Sequence, residues 1–129
     1  MFFTIDPHNG LAIYEQVVRQ VTFAIAGGAL RSGEFVPSVR ELARDLAINP
    51  NTVARAYRAL QDDGVLEAVR GTGLAVATGA AKRCRSERVK LIRERVRQVF
   101  REARQSEIDP EALRELVEKE LAAIDLQEV

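Results

Sequence analysis

The sequence predicts a mainly α-helical chain with one small β-hairpin. It divides into a first domain over residues 1–78 and a two-helix region over residues 79–129. Three observations predict this. Two short, separately capped helical stretches lie between Pro37 and Asp62. A pair of apolar runs around a glycine-bounded tip follows, ending at Ala77. A longer stretch with apolar residues at steps of three and four starts near Ser86.

The opening segment MFFTIDPHNG lacks a basic start followed by a long apolar run, so it is not a secretory signal. It is expected to be an arm packed beside the first helix. Ser38 then opens a helix, with Glu41 three residues later. The Ser38 hydroxyl can accept from a free backbone N–H while Glu41 reaches back to the Ser38 N–H, which makes a capping box. Val39, Leu42, Ala43 and Leu46 share one face of this helix, and Arg40 and Arg44 point away from it. A second helix opens with Asn49 as N-cap and Pro50 at the first helical position, where no N–H is needed. Val53, Ala56, Tyr57 and Leu60 form its inner stripe. Asn51, Thr52, Arg55 and Arg58 fall on the other side.

Two short helices and a tight turn, followed by a hairpin, can place the second helix in the DNA major groove. Amides and hydroxyls near that helix's N-terminus, with an arginine one turn on, suit base edges and phosphates. The plain alternative is a solvated polar face. Asp62-Asp63-Gly64 signals a turn. Val65, Leu66, Ala68 and Val69 suggest a strand, Arg70-Gly71-Thr72-Gly73 a loop tip, and Leu74 to Ala77 the returning strand. Arg70, Gly71 and Thr72 would reach a phosphate or a minor groove, although glycine-rich hairpin tips are mostly structural.

Gly79-Ala80-Ala81 reads as a short connection, and a long helix is expected from near Ser86 to near Gln105. Val89, Ile92, Val96, Val99 and Ala103 form a heptad-like seam. Asp109-Pro110 starts another helix, with Leu113, Leu116, Val117, Leu121 and Ile124 as its stripe. Together they make a helical hairpin with too little core to stand alone. A second copy of the chain is the simplest cover for its stripes. Folding back onto the chain's own first domain is the alternative.

The span from about Ile13 to Ala77 resembles the winged helix-turn-helix domain of the GntR family of bacterial transcription regulators. The matching strings are IYEQVVRQV, AIAGGALRSGEFVPSVRELA, NPNTVARAYRALQDDGVLE and RGTG. The resemblance implies a sequence-specific regulator, a repressor, that binds an inverted repeat as a homodimer. It implies DNA contact by Arg40, Asn49, Asn51, Thr52, Arg55 and the neighbourhood of Gly71, with Arg44 and Arg58 on phosphate or in surface ion pairs. Val36 stands where the family usually has leucine, and LAVA replaces an aromatic-containing strand after the wing tip. The short C-terminal region resembles the family's YtrA-type subgroup, which lacks a large effector domain. A small-molecule effector remains an open partner, and no residue set identifies one.

Composition narrows the rest. No apolar run is long enough to span a membrane. One cysteine, Cys84, excludes an internal disulfide and fits a reducing, cytoplasmic setting. Its neighbours Arg83 and Arg85 could lower its pKa and make it a redox sensor; otherwise it is an incidental thiol. A single histidine, His8, leaves no metal site or nucleophile–histidine pair of familiar spacing, so no enzyme, metal or cofactor is expected.

The formal net charge is zero but unevenly spread. Residues 1–78 hold 7 basic and 8 acidic side chains, residues 82–104 hold 10 and 3, and residues 105–129 hold 2 and 8. The first domain lacks a large positive field, so DNA affinity would come from focused contacts and two linked copies. Two other readings stay open: a sequence-independent architectural DNA-binding protein, and a protein-interaction module on the same fold.

Overall fold

A computed structural model describes residues 3 to 127; Met1 and Phe2 of the expected arm lie outside the described residues. The elements run α1 (Ile13–Ala26), α2 (Val39–Leu46), α3 (Pro50–Asp62), β1 (Leu66–Val69), β2 (Gly73–Val76), α4 (Ala80–Gln105) and α5 (Pro110–Gln127). The chain forms two compact units, one up to Lys90 and one from Leu91 onward. Among the described residues no helix is long and apolar enough to cross a membrane.

The core of the first unit lies where α3 packs on α1 and α2. Val53 and Ala56 have no exposed surface, and Tyr57 and Leu60 are as deeply placed. Val17, Val21 and Ile25 meet them from α1, and Leu42 and Ala43 from α2. Fully burying each large aliphatic side chain contributes about 1.5–3 kcal/mol, so this stripe outweighs the weak intrinsic helicity of eight-residue α2.

Local signals fix the helix ends. Both halves of the capping box form: Ser38 Oγ accepts from Glu41 N at 3.1 Å, and Ser38 N donates to Glu41 Oε1 at 3.3 Å. Asn49 Oδ1 accepts from Asn51 N at 2.8 Å, with Pro50 at the first helical position of α3. Between the helices Ala47 adopts φ 55°, ψ 45°, which lets Ile48 N bond back to Ala43 O and turns the chain sharply. Gly64 ends α3 at φ +75°, and a Cβ there would lie 2.8 Å from Arg83 Nη1.

The hairpin pairs antiparallel, with Leu66 opposite Val76 and Val69 opposite Gly73. A third segment extends this ladder. Phe35 bridges to Ala75, Val36 N donates to Leu74 O, and Val76 N donates to Glu34 O. Residues 33–36 therefore tie the approach to α2 directly to the wing. The arm is held on α1 by the buried Gln16, whose Oε1 accepts from Asp6 N at 2.9 Å. Its Nε2 donates to Asp6 O and Leu11 O.

Helix α4 starts at Ala80, earlier than expected, and the connection is Ala77-Thr78-Gly79. Ala80 and Cys84, one turn apart, are buried in the first unit's core. Their small side chains, set among lysines and arginines, do not register as an apolar stripe.

In the second unit α4 passes through a tight turn to α5. Glu107 takes φ 59° and Ile108 N bonds to Ala103 O. Asp109 caps α5, its Oδ2 accepting from Glu111 N and Ala112 N. No residue of α5 is buried, and Leu116, Leu121, Ile124 and Leu126 are all more than half exposed.

Left-handed geometry at a non-glycine residue costs about 1–2 kcal/mol, and the extra unfolded-state entropy of glycine returns roughly half of that. Ala47→Gly is therefore expected to raise stability by about 0.5–1 kcal/mol in urea unfolding. A loss of stability would show that the Ala47 methyl packs favourably.

Candidate nucleic-acid interface

Burial of one face of α3 decides what its opposite face offers. Positions 51, 55 and 58 fall within about 60° of each other on a helix that advances 100° per residue. Asn51, Arg55 and Arg58 are exposed, and Thr52 flanks them half-buried. The face lies opposite Val53, Ala56 and Leu60, which cannot turn outward without opening the core. Tyr57 pins α3 to the entry of α2: its hydroxyl donates to Pro37 O at 2.7 Å. Burial, then the nearby Glu41 charge, pushes this phenol well above its usual pKa, so it stays protonated and keeps donating.

The remaining candidates have different freedoms. Asn49 is exposed but its carbonyl oxygen is engaged as the cap, leaving the amide NH2 as its available group. Arg40 and Arg44 are exposed one turn apart on α2, and Arg44 Nε sits 3.6 Å from Asp45 Oδ1. A pair this exposed holds the arginine weakly. Arg70, Gly71 and Thr72 form the exposed tip of the wing, where Gly71 adopts φ +77° and Thr72 N closes the turn on Val69 O. Arg55 is less free than its position suggests: its Cζ lies 3.7 Å from the centroid of the Tyr14 ring. Helical periodicity within α3 cannot reveal that contact, because it depends on how α1 crosses α3.

The C-terminal candidates also separate. Val89, Ile92, Val96 and Val99 are exposed along α4, each by more than two-fifths. Ala103 is buried against its own turn. Leu113 and Val117 are half-buried, while Leu116 and Leu121 are open. Phe100, Pro110, Leu113, Arg114, Val117 and Glu118 line a groove of about 350 Å³ within the second unit. Phe100 was missing from the expected seam, although it follows Val96 by four residues and was legible on spacing.

Cys84 is not the activated thiol that its arginine neighbours suggested. It is buried, and burial raises its pKa; Arg83 pulls the other way without prevailing, and Glu87 adds to the rise.

Two packed short helices presenting one polar face, with a hairpin beside them, define a winged helix-turn-helix DNA-binding protein. The model of the bacterial regulatory proteins of the gntR family matches residues 13–76. The HTH-type transcriptional repressor YtrA of Bacillus subtilis (strain 168) is 34% identical over 119 residues, covering 92% of this chain and 91% of that protein. A GntR family transcriptional regulator from Listeria monocytogenes superposes with a TM-score of 0.66 at 31% identity, covering 89% of this chain and 98% of that one. The AraR DNA-binding domain, solved in complex with operator ORE1, gives a TM-score of 0.50 at 25% identity, covering 60% and 94%. The chain belongs to the GntR family and is a DNA-binding transcription regulator, not an enzyme.

The buried thiol generates a prediction. Cys84 is expected to react slowly with a thiol reagent in native buffer and rapidly in denaturing urea. Fast native labelling would return the redox-sensing reading.

Proposed function

We propose that this chain is a cytoplasmic repressor that occupies an inverted-repeat operator as a homodimer. The observation that carries the proposal is the polar outer face of α3, held by a buried inner stripe, in a chain whose second unit leaves apolar helix faces uncovered. In this reading α3 enters the major groove, with Asn51, Thr52 and Arg55 at base edges and the amide of Asn49 close by. Arg40, Arg44 and Arg58 take phosphates, and Arg70, Gly71 and Thr72 bring the wing onto the backbone or minor groove. The repressor assignment draws support from the full-length similarity to YtrA, and operator binding from the AraR complex.

Dimerisation is assigned to Val89, Ile92, Val96 and Val99 of α4 with Leu113, Leu116, Val117 and Leu121 of α5; Ala103 lets the turn pack tightly. Exposed apolar stripes of this length favour association over solvation. A two-fold pair would set two α3 helices about 34–36 Å apart, one turn of duplex. The second copy also supplies the affinity that a winged region with a formal charge of −1 lacks.

Fluorescence anisotropy tests the reading, using a labelled duplex from upstream of the protein's own gene and a scrambled duplex of equal length as competitor, over a salt series. Binding that resists the scrambled duplex is the expected result. Equal binding to both, with a steep salt dependence, would favour an architectural role, and no binding to either would favour a protein-interaction module.

Dimerisation has its own test. Val96→Glu puts a charge on the exposed seam, where a monomer tolerates it and a dimer would have to desolvate it. Sedimentation equilibrium is expected to show a dimer for the wild type and a monomer for Val96→Glu. A variant that stays dimeric removes this seam from the interface.

A further inference from the structure

Arg55 stands on the open face of α3, yet its guanidinium lies over an aromatic ring contributed by another helix. Its Cζ is 3.7 Å from the centroid of the Tyr14 ring, within the range of a cation–π stack. Stacking occupies the flat face of the guanidinium and leaves its in-plane N–H donors free. Those edge donors are the ones that grip a pair of acceptors.

Tyr14 is itself held firmly. It is half-buried against the core, on the first turn of α1. Two residues on, Gln16 clips the arm to the same turn through hydrogen bonds with Asp6 and Leu11. One turn on, Thr4 N donates to Gln20 Oε1 at 2.7 Å. The ring therefore sits on an anchored base, and the arginine resting on it gives up freedom before any DNA arrives. A long side chain ordered in advance loses less entropy on binding.

We propose that Tyr14 is a positioning residue for DNA recognition: its ring orients the Arg55 guanidinium so that the edge donors meet a paired acceptor on the duplex. This rests on Arg55 contacting DNA. A guanine edge and a phosphate both offer paired acceptors. Neither the arm nor Tyr14 touches DNA in this scheme; both act through Arg55.

The test is a double-mutant cycle on the full chain. The probe is a fluorescein-labelled duplex chosen by the wild-type protein from a randomised pool. Arg55→Ala is expected to weaken binding by at least about tenfold. Tyr14→Leu is expected to weaken it by about 2- to 5-fold, and Tyr14→Phe, which keeps the ring, to restore the wild-type value. In the Arg55→Ala background, Tyr14→Leu is expected to cost nothing further. Base-pair substitutions in the probe separate the two acceptors: loss of preference at one position marks a guanine, and uniform weakening marks a phosphate. Arg55→Ala and Tyr14→Leu should share whichever signature appears.

Two results overturn the proposal alone: Tyr14→Leu binding like wild type while Arg55→Ala is weak, or the two losses simply adding. Unchanged binding by Arg55→Ala brings down the DNA role of Arg55 as well. The stack has a readout that needs no DNA and no disruptive variant. The Arg55 side-chain protons should show an upfield ring-current shift in NMR spectra of the wild type and of Tyr14→Phe. Unshifted protons would dismiss the contact.

Discussion

The structure depends on the burial of one stripe of α3. Val53, Ala56, Tyr57 and Leu60 face inward, and α1 and α2 close over them from two directions. Everything functional follows from that choice. The stripe fixes the helix's rotation about its own axis, so Asn51, Arg55 and Arg58 must face outward. Rotating the helix to hide its arginines would strand charges in a core and expose the apolar stripe. Either step costs more than any surface contact could return. The orientation of the candidate reading face is thus set by hydrophobic energetics, before any DNA chemistry enters.

The hydrogen bonds around α3 add direction to that packing. Hydrophobic burial is non-directional, and it alone would let α2 and α3 slide. The Tyr57 hydroxyl on Pro37 O, the Ser38–Glu41 box and the Asn49 cap each fix a chain position to within a bond length. The 33–36 segment does the same for the wing by pairing with β2. Short elements need such pins, because eight residues of α2 make little helix by themselves.

Those pins explain what was legible in the sequence. Caps and turns are short-range chemistry, so Ser38, Asn49, Pro50 and the 70–73 tip could be read directly, and the stripes of α2 and α3 follow from spacing. The start of α4 was not legible, because Ala80 and Cys84 become apolar anchors only once the rest of the core exists to receive them. The choice left open for the thiol has the same origin: sequence shows its arginine neighbours but not the burial that outweighs them. Phe35 pairing with Ala75 and Tyr14 beneath Arg55 join residues about forty positions apart, which no local pattern encodes. Spacing within α3 placed its exposed face, which carries Asn51, Arg55 and Arg58, but could not say which of these side chains were already engaged.

The charge distribution completes the physical picture. A DNA-binding protein can hold its target through a broad positive field or through a few well-placed contacts. The field raises affinity for every sequence alike, because it acts on phosphates. Residues 1–78 carry almost no net charge, so they contribute little of this indiscriminate attraction. In the proposed reading, this domain's hold on DNA therefore comes from geometry: side chains fixed on a rigid helix and a tethered wing. An arginine stacked in advance matters more in such a protein than in a highly basic one, where a misplaced side chain is compensated by the surrounding field. The cost of relying on placement is weak binding by a single copy, which the proposed dimer would offset by making the next contact intramolecular. Residues 82–104 carry a strong positive charge and residues 105–129 a negative one. Opposite charges on two consecutive helices favour pairing between unlike helices, which would specify register in the proposed dimer where apolar stripes alone would not.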